Sequence, residues 1–163
     1  MKIIAIDPGS KVAGYAVFND NKLIDAGLLK PYKTRLPNDA RILSICFEVE
    51  KLLDEHKPKV VVLEWTTGKV GRNRHKGKGS GLAIYGIAIG AIWIVARLRD
   101  GVALPETVLI DESWTKGVKK KKRLEDLELT CPAYKRKLDP GGDMGDAICL
   151  GEYYLKECRI LGV

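Results

Sequence analysis

A continuous apolar run at residues 59–64, which read KVVVLE, constrains the fold of this chain more than any other feature. A run of β-branched residues without polar alternation is typical of a strand that helical crossovers bury on both faces of a sheet. A second apolar run, Lys2–Asp7 (KIIAID), ends at Pro8 and Gly9 and predicts another buried strand. Residues 38–56 lie between the two runs and carry apolar side chains at helical spacing. This order of strand, helix and strand predicts a parallel strand pair with a right-handed connection.

Two further short strands are predicted between the first strand and the helix. Residues 14–18 (GYAVF) and 23–30 (LIDAGLLK) are separated by a polar triplet at residues 19–21, which is typical of a turn between antiparallel strands. Together with the first strand they predict a three-stranded antiparallel meander. The helix that follows is predicted to begin with Asn38 or Asp39 as its N-cap.

The second half of the chain alternates between loops and regular elements. Residues 69–81 (KVGRNRHKGKGSG) carry four glycines and no apolar period, which predicts a mobile loop. Residues 82–98 are apolar nearly all round and predict a helix, and residues 108–111 (VLID) predict a short strand. Residues 139–142 (DPGG) predict a turn before a last helix at 143–158. The whole chain, residues 1 to 163, is therefore predicted to form one α/β domain with a mixed sheet.

The charge balance points toward a polyanionic partner. The chain carries 28 lysines and arginines against 21 aspartates and glutamates, for a net charge of +7. A basic chain of this size commonly binds DNA, RNA or anionic lipid, and basicity alone does not distinguish among them. The 45% apolar composition supplies a normal core.

Three features predict a cytoplasmic protein without membrane association. The uncharged stretch at residues 82–96 would form a helix about 22 Å long, short of the roughly 30 Å hydrocarbon core. The N-terminus lacks the long apolar run and cleavage site of a signal peptide. The four cysteines show no CxxC spacing. Cys46, Cys149 and Cys158 lie in apolar helical patterns, which favours reduced, buried thiols over disulfides or a zinc site.

Four carboxylates are predicted to meet at one edge of the sheet. Asp7 and Glu64 each end a predicted strand, and parallel neighbouring strands would project both at the edge where open α/β sheets place ligands. Asp143 and Asp146 stand three residues apart in the first turn of the last helix and so share a face. That face continues through apolar residues, which predicts that both aspartates point toward the protein.

A cluster of four carboxylates favours bound cations. Two like charges about 4 Å apart repel by roughly 4 kcal/mol at an effective dielectric of about 20, and all-oxygen ligand sets favour hard ions such as Mg²⁺ or Mn²⁺. Two such ions about 3.5–4 Å apart can activate a water and stabilise the leaving oxygen of a phosphodiester. Taken singly, an aspartate before Pro-Gly is also a common turn former, and one in a first helical turn a common cap. The combination favours catalytic residues that bind two Mg²⁺ ions, with Mn²⁺ able to substitute: Asp7, Glu64, Asp143 and Asp146.

The motifs IAIDPG with GYAVF, then VVVLE, then GGDMGDAICLGEYYL resemble, in order and spacing, the RuvC family of Holliday-junction resolvases, within the ribonuclease H-like superfamily. The resemblance covers essentially the whole chain and implies a ribonuclease H-like mixed sheet flanked by helices. It implies that the four acids are the family's metal ligands. It further implies a homodimer that nicks two strands of a four-way DNA junction symmetrically, in a bacterial or phage-infected bacterial cell.

The chain departs from the family pattern after Glu64. Thr67 stands where the family often carries an aromatic wedge, and Trp65 is predicted to lie on the strand face opposite Glu64. The loop after Glu64 is also unusually basic. These differences indicate a divergent, phage-type branch.

Two basic segments predict where DNA phosphates bind. The first follows Glu64 among glycines, and the second precedes the last helix. Each phosphate contact adds roughly 0.9 to the salt slope of binding. The predicted DNA-contacting residues are Lys69, Arg72, Arg74, Lys76, Lys78, Lys116, Lys119, Lys120 and Lys121. A solvated charge run is the alternative for each segment. His75 is predicted to be a further donor in the loop.

Two glycines bear on oligomeric state. Gly86 and Gly90 stand four residues apart on the apolar helix and allow another backbone to approach closely. A helix that is apolar on all sides must be covered on all sides, either within the domain or by a second copy of the chain.

Two other functions share these features. A ribonuclease H acting on RNA–DNA hybrids would use the same metal chemistry, and a non-catalytic DNA-binding protein would keep the fold. Loss of an acid would mark the second, and this chain retains all four.

Overall fold

The computed structural model describes residues 1–33, 35–65, 80–98 and 105–158. Within these residues the strands are β1 (Lys2–Asp7), β2 (Ala13–Asn19), β3 (Lys22–Leu29), β4 (Val60–Trp65) and β5 (Glu106–Asp111). They form one sheet in the order β3-β2-β1-β4-β5. The first three strands pair antiparallel, whereas β4 is parallel to both β1 and β5. The predicted meander, parallel pair and mixed sheet are confirmed.

Helices pack against both faces of this sheet. The helices of the described part are α1 (Asn38–His56), α2 (Ser80–Arg97), α3 (Lys120–Thr130) and α4 (Asp143–Tyr153). A π-helical turn, Tyr154–Cys158, continues α4. The helices predicted at residues 38–56, 82–98 and 143–158 are confirmed, with small shifts at their ends.

Alternate residues of β1 enter two different cores. Ile4 and Ile6 are fully buried in a cluster with side chains of α1 and α2. Ile3 and Ala5 are fully buried in a second cluster with side chains of α3 and α4. The residues of β4 alternate between the same two clusters. Both faces of β1 and β4 are therefore buried. This explains why apolar and polar residues do not alternate in the run at residues 59–64.

The helix α3 was not among the predicted elements. It begins inside the basic run and places only two side chains, Leu124 and Leu127, in the core. Ion pairs one helical turn apart support its exposed side, where Lys122 lies 2.7 Å from Asp126. With only two apolar positions, the sequence of α3 looks like a run of solvated charges. Its helical conformation therefore depends on packing against the rest of the protein.

Two predicted boundaries were wrong. The N-cap of α1 is Pro37 rather than Asn38 or Asp39, because the Asn38 side chain accepts a hydrogen bond from Arg41 instead of capping the backbone. The predicted loop at residues 69–81 ends earlier, since Ser80 and Gly81 are already helical. Residues 69–79 of that loop lie outside the described residues.

The thiols of three cysteines and the apolarity of the helices bear on the predictions about disulfides and membrane association. Cys46, Cys131 and Cys149 are free thiols. Cys46 is buried as predicted, whereas Cys149, which was also predicted to be buried, is only partly buried, as is Cys131. The side chain of Cys158 lies outside the described part. Among the helices that the structure describes, none is long and apolar enough to cross a membrane.

Candidate metal centre

Asp7 ends β1, and Glu64 is the last residue but one of the adjacent parallel strand β4, at the same edge of the sheet. Ile6 of β1 lies opposite Leu63 of β4, and the next residue of each strand is the acid. The register therefore brings the two carboxylates together, as predicted. Electrostatic coupling between them follows from this placement, since Glu64 is the carboxylate that acts most strongly on Asp7.

The start of α4 docks onto the same edge through a glycine. Gly14 of β2 pairs with Asp7 of β1. A Cβ atom built on Gly14 would lie 1.9 Å from the backbone oxygen of Asp143, a distance that no side chain tolerates. Because only a glycine allows this contact, the first turn of α4 lies against the strand end that carries Asp7. The pair Asp143 and Asp146 therefore joins Asp7 and Glu64.

A buried carboxylate holds the first turn of α4 in place. Asp139 accepts hydrogen bonds from the backbone N–H groups of Met144 and Gly145, at 3.3 and 2.9 Å. The Tyr134 hydroxyl donates to the same carboxylate at 3.1 Å. The sequence prediction treated Asp139 only as part of a turn. Its position just ahead of a helix was the signal for this capping role.

The acids perturb one another. Burial raises the pKa of Asp7 well above its usual range, and the nearby carboxylates of Glu64, Asp146 and Asp143 raise it further, while Lys120 opposes the rise. Burial likewise raises the pKa of Asp143, against the lowering effect of Lys120. Both shifts report negative charges crowded in a poorly hydrated place.

Two cations of α3 balance the aspartates of α4. The Nζ atom of Lys120 lies 2.7 Å from Oδ2 of Asp146 and 3.5 Å from Oδ1 of Asp143. Arg123 donates from Nε to Oδ1 of Asp146 at 3.2 Å, and its Nη2 bonds the same oxygen. Burial alone would lower the pKa of Lys120, but its hydrogen bond to Asp146 and the surrounding carboxylates raise it. Asp146 is thus buried and fully paired, whereas Asp143 stays about one third exposed.

A tryptophan that sequence reasoning missed contacts Glu64. Trp114 lies in a short 3₁₀ turn, Glu112–Thr115, directly after β5, and its Nε1 donates to Oε2 of Glu64 at 3.0 Å. Burial raises the pKa of Glu64, and this hydrogen bond is the largest influence that opposes the rise. Burial raises the pKa of the Tyr85 hydroxyl of α2, and the charges of Asp7 and Glu64 raise it further.

The donor chemistry fits a hard divalent cation. Within the described ranges, no three acidic, histidine or cysteine side chains already stand in metal-ligand geometry. Lys120 and Arg123 instead supply the positive charge that the carboxylates of α4 require. Acids that raise one another's pKa and are paired with cations mark a place where an Mg²⁺ ion would relieve repulsion. Metal binding by the four acids stays a prediction.

The predicted DNA-contacting lysines of the second basic segment have different surroundings. Lys116, Lys119 and Lys121 are exposed near the start of α3, where Lys116 lies 3.7 Å from Glu157. Lys120 is turned toward the acids instead. Lys69, Arg72, Arg74, Lys76 and Lys78 lie outside the described residues, as do His75 and Thr67. Trp65 is partly exposed at the end of β4.

Sequence comparisons relate part of the chain to known proteins. Residues 3–76 match a family described as "Crossover junction endodeoxyribonuclease RuvC". The RuvC protein of Protochlamydia amoebophila is 33% identical over 101 residues, which cover 60% of this chain and 55% of that protein. The RuvC protein of Campylobacter lari is 37% identical over 70 residues, which cover 39% and 42%. The chain thus spans about half the length of the curated relatives it matches.

Structural comparisons extend the likeness to nearly the whole chain. A structure of Thermus thermophilus RuvC in complex with Holliday junction substrate superposes with a TM-score of 0.71 at 17% identity, covering 98% of this chain and 96% of that one. The yeast mitochondrial Holliday junction resolvase Ydc2 gives 0.60 at 13% identity, with 94% and 77% covered. At these identities the likeness establishes the fold, which is ribonuclease H-like, as predicted.

Proposed function

We propose that this chain is a RuvC-family endonuclease that resolves Holliday junctions or other branched DNA with the help of divalent metal ions. The observation that carries the proposal is the meeting of Asp7 and Glu64 with the acids of α4 on a RuvC fold. Lys120 and Arg123 pair with the acids of α4, but these ion pairs do not explain why β1 and β4 also direct carboxylates to this edge. A divalent cation does explain it.

The four acids would hold two Mg²⁺ ions, with Mn²⁺ able to replace them. When bound, such ions supply activation of a water and stabilisation of the leaving oxygen of the phosphodiester. Asp7 and Glu64 would act from the rigid sheet edge, and Asp143 and Asp146 from the helix that Gly14 docks against it. Rigid elements hold ligands more accurately than loops do.

The surroundings of the acids would bring the DNA backbone to this edge. Lys116, Lys119 and Lys121 present positive charge around the start of α3, within four residues of Lys120, the lysine that pairs with Asp146. The basic residues after Glu64 would add further contacts to phosphates. Such charges bind phosphates without reading sequence, which suits selection by the shape of a branch.

A second copy of the chain would cover the exposed face of α2. Ala88, Ile92 and Ala96 are buried on one side of this helix. On the opposite side Ile87, Ile94 and Leu98 are 61%, 48% and 75% exposed. Nothing lies within 4 Å of a Cβ atom built on Gly86 or Gly90, so another helix has room to pack there. We therefore include a homodimer in the proposal, with α2 as its interface.

The test compares three substrates with the same labelled strand: a four-way junction, a linear duplex and an RNA–DNA hybrid. Each is incubated with Mg²⁺, with Mn²⁺ and with chelator. We expect metal-dependent cleavage of the junction, at symmetric positions in two opposed strands. Preferential cleavage of the hybrid would favour a ribonuclease H instead, and junction binding without cleavage in either metal would favour a non-catalytic binding protein.

A further inference from the structure

We propose that Trp114 and Arg123 are positioning residues that fix Glu64 relative to Asp146 and thereby set how tightly the acids bind divalent cations. The inference rests on the proposed function, because it concerns the same site. Neither residue was singled out as part of the acid cluster by the sequence patterns.

A continuous set of contacts joins the two acids. Trp114 is buried and donates its indole N–H to Oε2 of Glu64 at 3.0 Å. The guanidinium of Arg123 lies over the ring of Trp114, 4.9 Å from its centroid. The same guanidinium bonds Oδ1 of Asp146. Glu64 on the sheet and Asp146 on α4 are thus connected through two side chains from other elements.

Each of the two side chains is itself held firmly. The Trp114 ring packs against Tyr153, with ring centroids 6.1 Å apart. Arg123 donates from Nη1 to the backbone oxygen of Val118 at 3.1 Å, and its side chain is only 14% exposed. A fixed donor restricts the rotamers of the carboxylate that it bonds, so less freedom remains to be lost when a cation binds.

Trp114 and Arg123 each bond only one oxygen of the acid that they contact. Trp114 bonds Oε2 of Glu64, and Arg123 bonds Oδ1 of Asp146. The second oxygen of Asp146, Oδ2, pairs with Lys120 at 2.7 Å. That oxygen therefore already carries a cation, the Lys120 ammonium group, which a divalent ion bound there would replace. A neutral indole donor orients Glu64 without cancelling the charge that attracts a metal ion.

The decisive variant is Trp114→Phe. Phenylalanine keeps an aromatic ring for Arg123 and Tyr153 but removes the indole N–H that bonds Glu64. The matched control is Trp93→Phe, since Trp93 on α2 also has an arginine over its ring, Arg97, at 6.0 Å. A second variant, Arg123→Lys, keeps the charge but loses the planar stack and the forked hydrogen bonds, so charge removal does not confuse the result.

Three properties are measured for each variant: Mn²⁺ affinity by calorimetry without DNA, thermal stability, and cleavage rate against Mg²⁺ concentration. We expect Trp114→Phe to weaken Mn²⁺ binding about 10-fold or more, with a cleavage rate that recovers at high Mg²⁺. Its thermal stability should fall as well, because the smaller ring leaves space in the core. Arg123→Lys should act in the same direction, and the double variant should lose less than the product of the two effects because both act on one unit. Trp93→Phe should bind Mn²⁺ as the wild type does.

An unchanged Mn²⁺ affinity in Trp114→Phe and Arg123→Lys would overturn the inference. So would a weakening of Mn²⁺ binding that follows the loss of thermal stability in proportion across both variants, because that result assigns both residues to the core alone. Failure of the proposed function looks different. A wild-type protein that binds Mn²⁺ but cuts no branched DNA would end the nuclease proposal and leave the effect of Trp114 on Mn²⁺ affinity to be read directly.

Discussion

Asp7 is the residue at which folding and proposed function conflict most directly. It is held at the end of a buried strand, where its pKa is raised by burial and by three other carboxylates. A native protein that keeps an ionised carboxylate in such a place loses stability relative to one with a neutral side chain there. The carboxylate is retained, on the present proposal, because bound Mg²⁺ needs its charge.

Asp7→Asn is expected to abolish metal-dependent cleavage while junction affinity stays the same or improves. The amide occupies the same space but supplies no charge to hold a metal ion, and it removes a repulsion of DNA phosphates. The same change should raise the thermal stability of the metal-free protein. Cleavage assays, gel-shift titrations without metal, and thermal melts check the three effects.

Glu48→Gln serves as the control for Asp7→Asn. Glu48 lies on the outer side of α1 and pairs with Lys51 at 2.7 Å, so its loss should leave cleavage unchanged. Turnover retained by Asp7→Asn would remove Asp7 from the metal site.

At the scale of elements, the sheet supplies only Asp7 and Glu64, and the helices α4 and α3 complete the site. Gly14 brings the first turn of α4 against β2, and Asp139 caps that turn. The first turn of α3 then supplies Lys120 and Arg123 to the acids of α4. The site therefore depends on how two helices dock as much as on the strands.

Gly14→Ala is expected to displace α4 and to cost roughly 1–3 kcal/mol of unfolding free energy, the usual range for overpacking a core. The added Cβ would meet the backbone oxygen of Asp143, which moves only with the helix. Cleavage should fall more steeply than stability predicts. Urea denaturation and cleavage rates measure the two effects.

Gly27→Ala on β3 is the matched change for Gly14→Ala. A Cβ atom there meets the ring of Tyr15, at 2.8 Å, rather than a helix backbone. Its effect should be smaller and should spare cleavage. Equal behaviour of the two variants would contradict the docking role of Gly14.

Neutralising the exposed lysines at the start of α3 should weaken junction binding and flatten its salt dependence. Each phosphate contact contributes roughly 0.9 to the slope of log affinity against log salt, so Lys119→Gln with Lys121→Gln should lower that slope measurably. Fluorescence anisotropy at several salt concentrations gives the slope. Lys51→Gln on α1 removes one positive charge away from the acids and is compared with each single change on α3. A slope unaffected by the α3 changes would show that those lysines are solvated and do not contact phosphates.

At the scale of the whole molecule, the sheet separates two cores and the acids gather at one of its ends. The apolar face of α2 that neither core covers lies on the outside of one layer. A stripe of this kind is uncommon on a monomer surface and favours association with a second copy.

Ile94→Asp is expected to shift the protein from dimer to monomer, because it places a charge in the centre of the exposed stripe of α2. Sedimentation velocity over a range of concentrations measures the change. Leu129→Asp on α3, which replaces an exposed leucine elsewhere, should leave the oligomeric state unaltered. A wild-type protein that stays monomeric at all concentrations would contradict the homodimer.

Local patterns predicted most of the fold. The strands β1 to β5 and three of the four described helices were readable, because periodicity and turn residues act over a few neighbours. The edge where Asp7 and Glu64 meet followed from the parallel pairing. The helix α3 was missed because its two core leucines are too few to mark a face without the neighbouring α4.

The sequence by itself determined which acids lie at the end of a strand or in the first turn of a helix, because both positions are local features. Only the tertiary structure decided what those acids touch. Trp114 and Glu64 are 50 residues apart, and Arg123 and Asp146 are 23 apart, so no pattern along the chain records their contacts. Such pairs depend on how helices dock on the sheet, and close packing across distant segments, rather than local propensity, sets that docking.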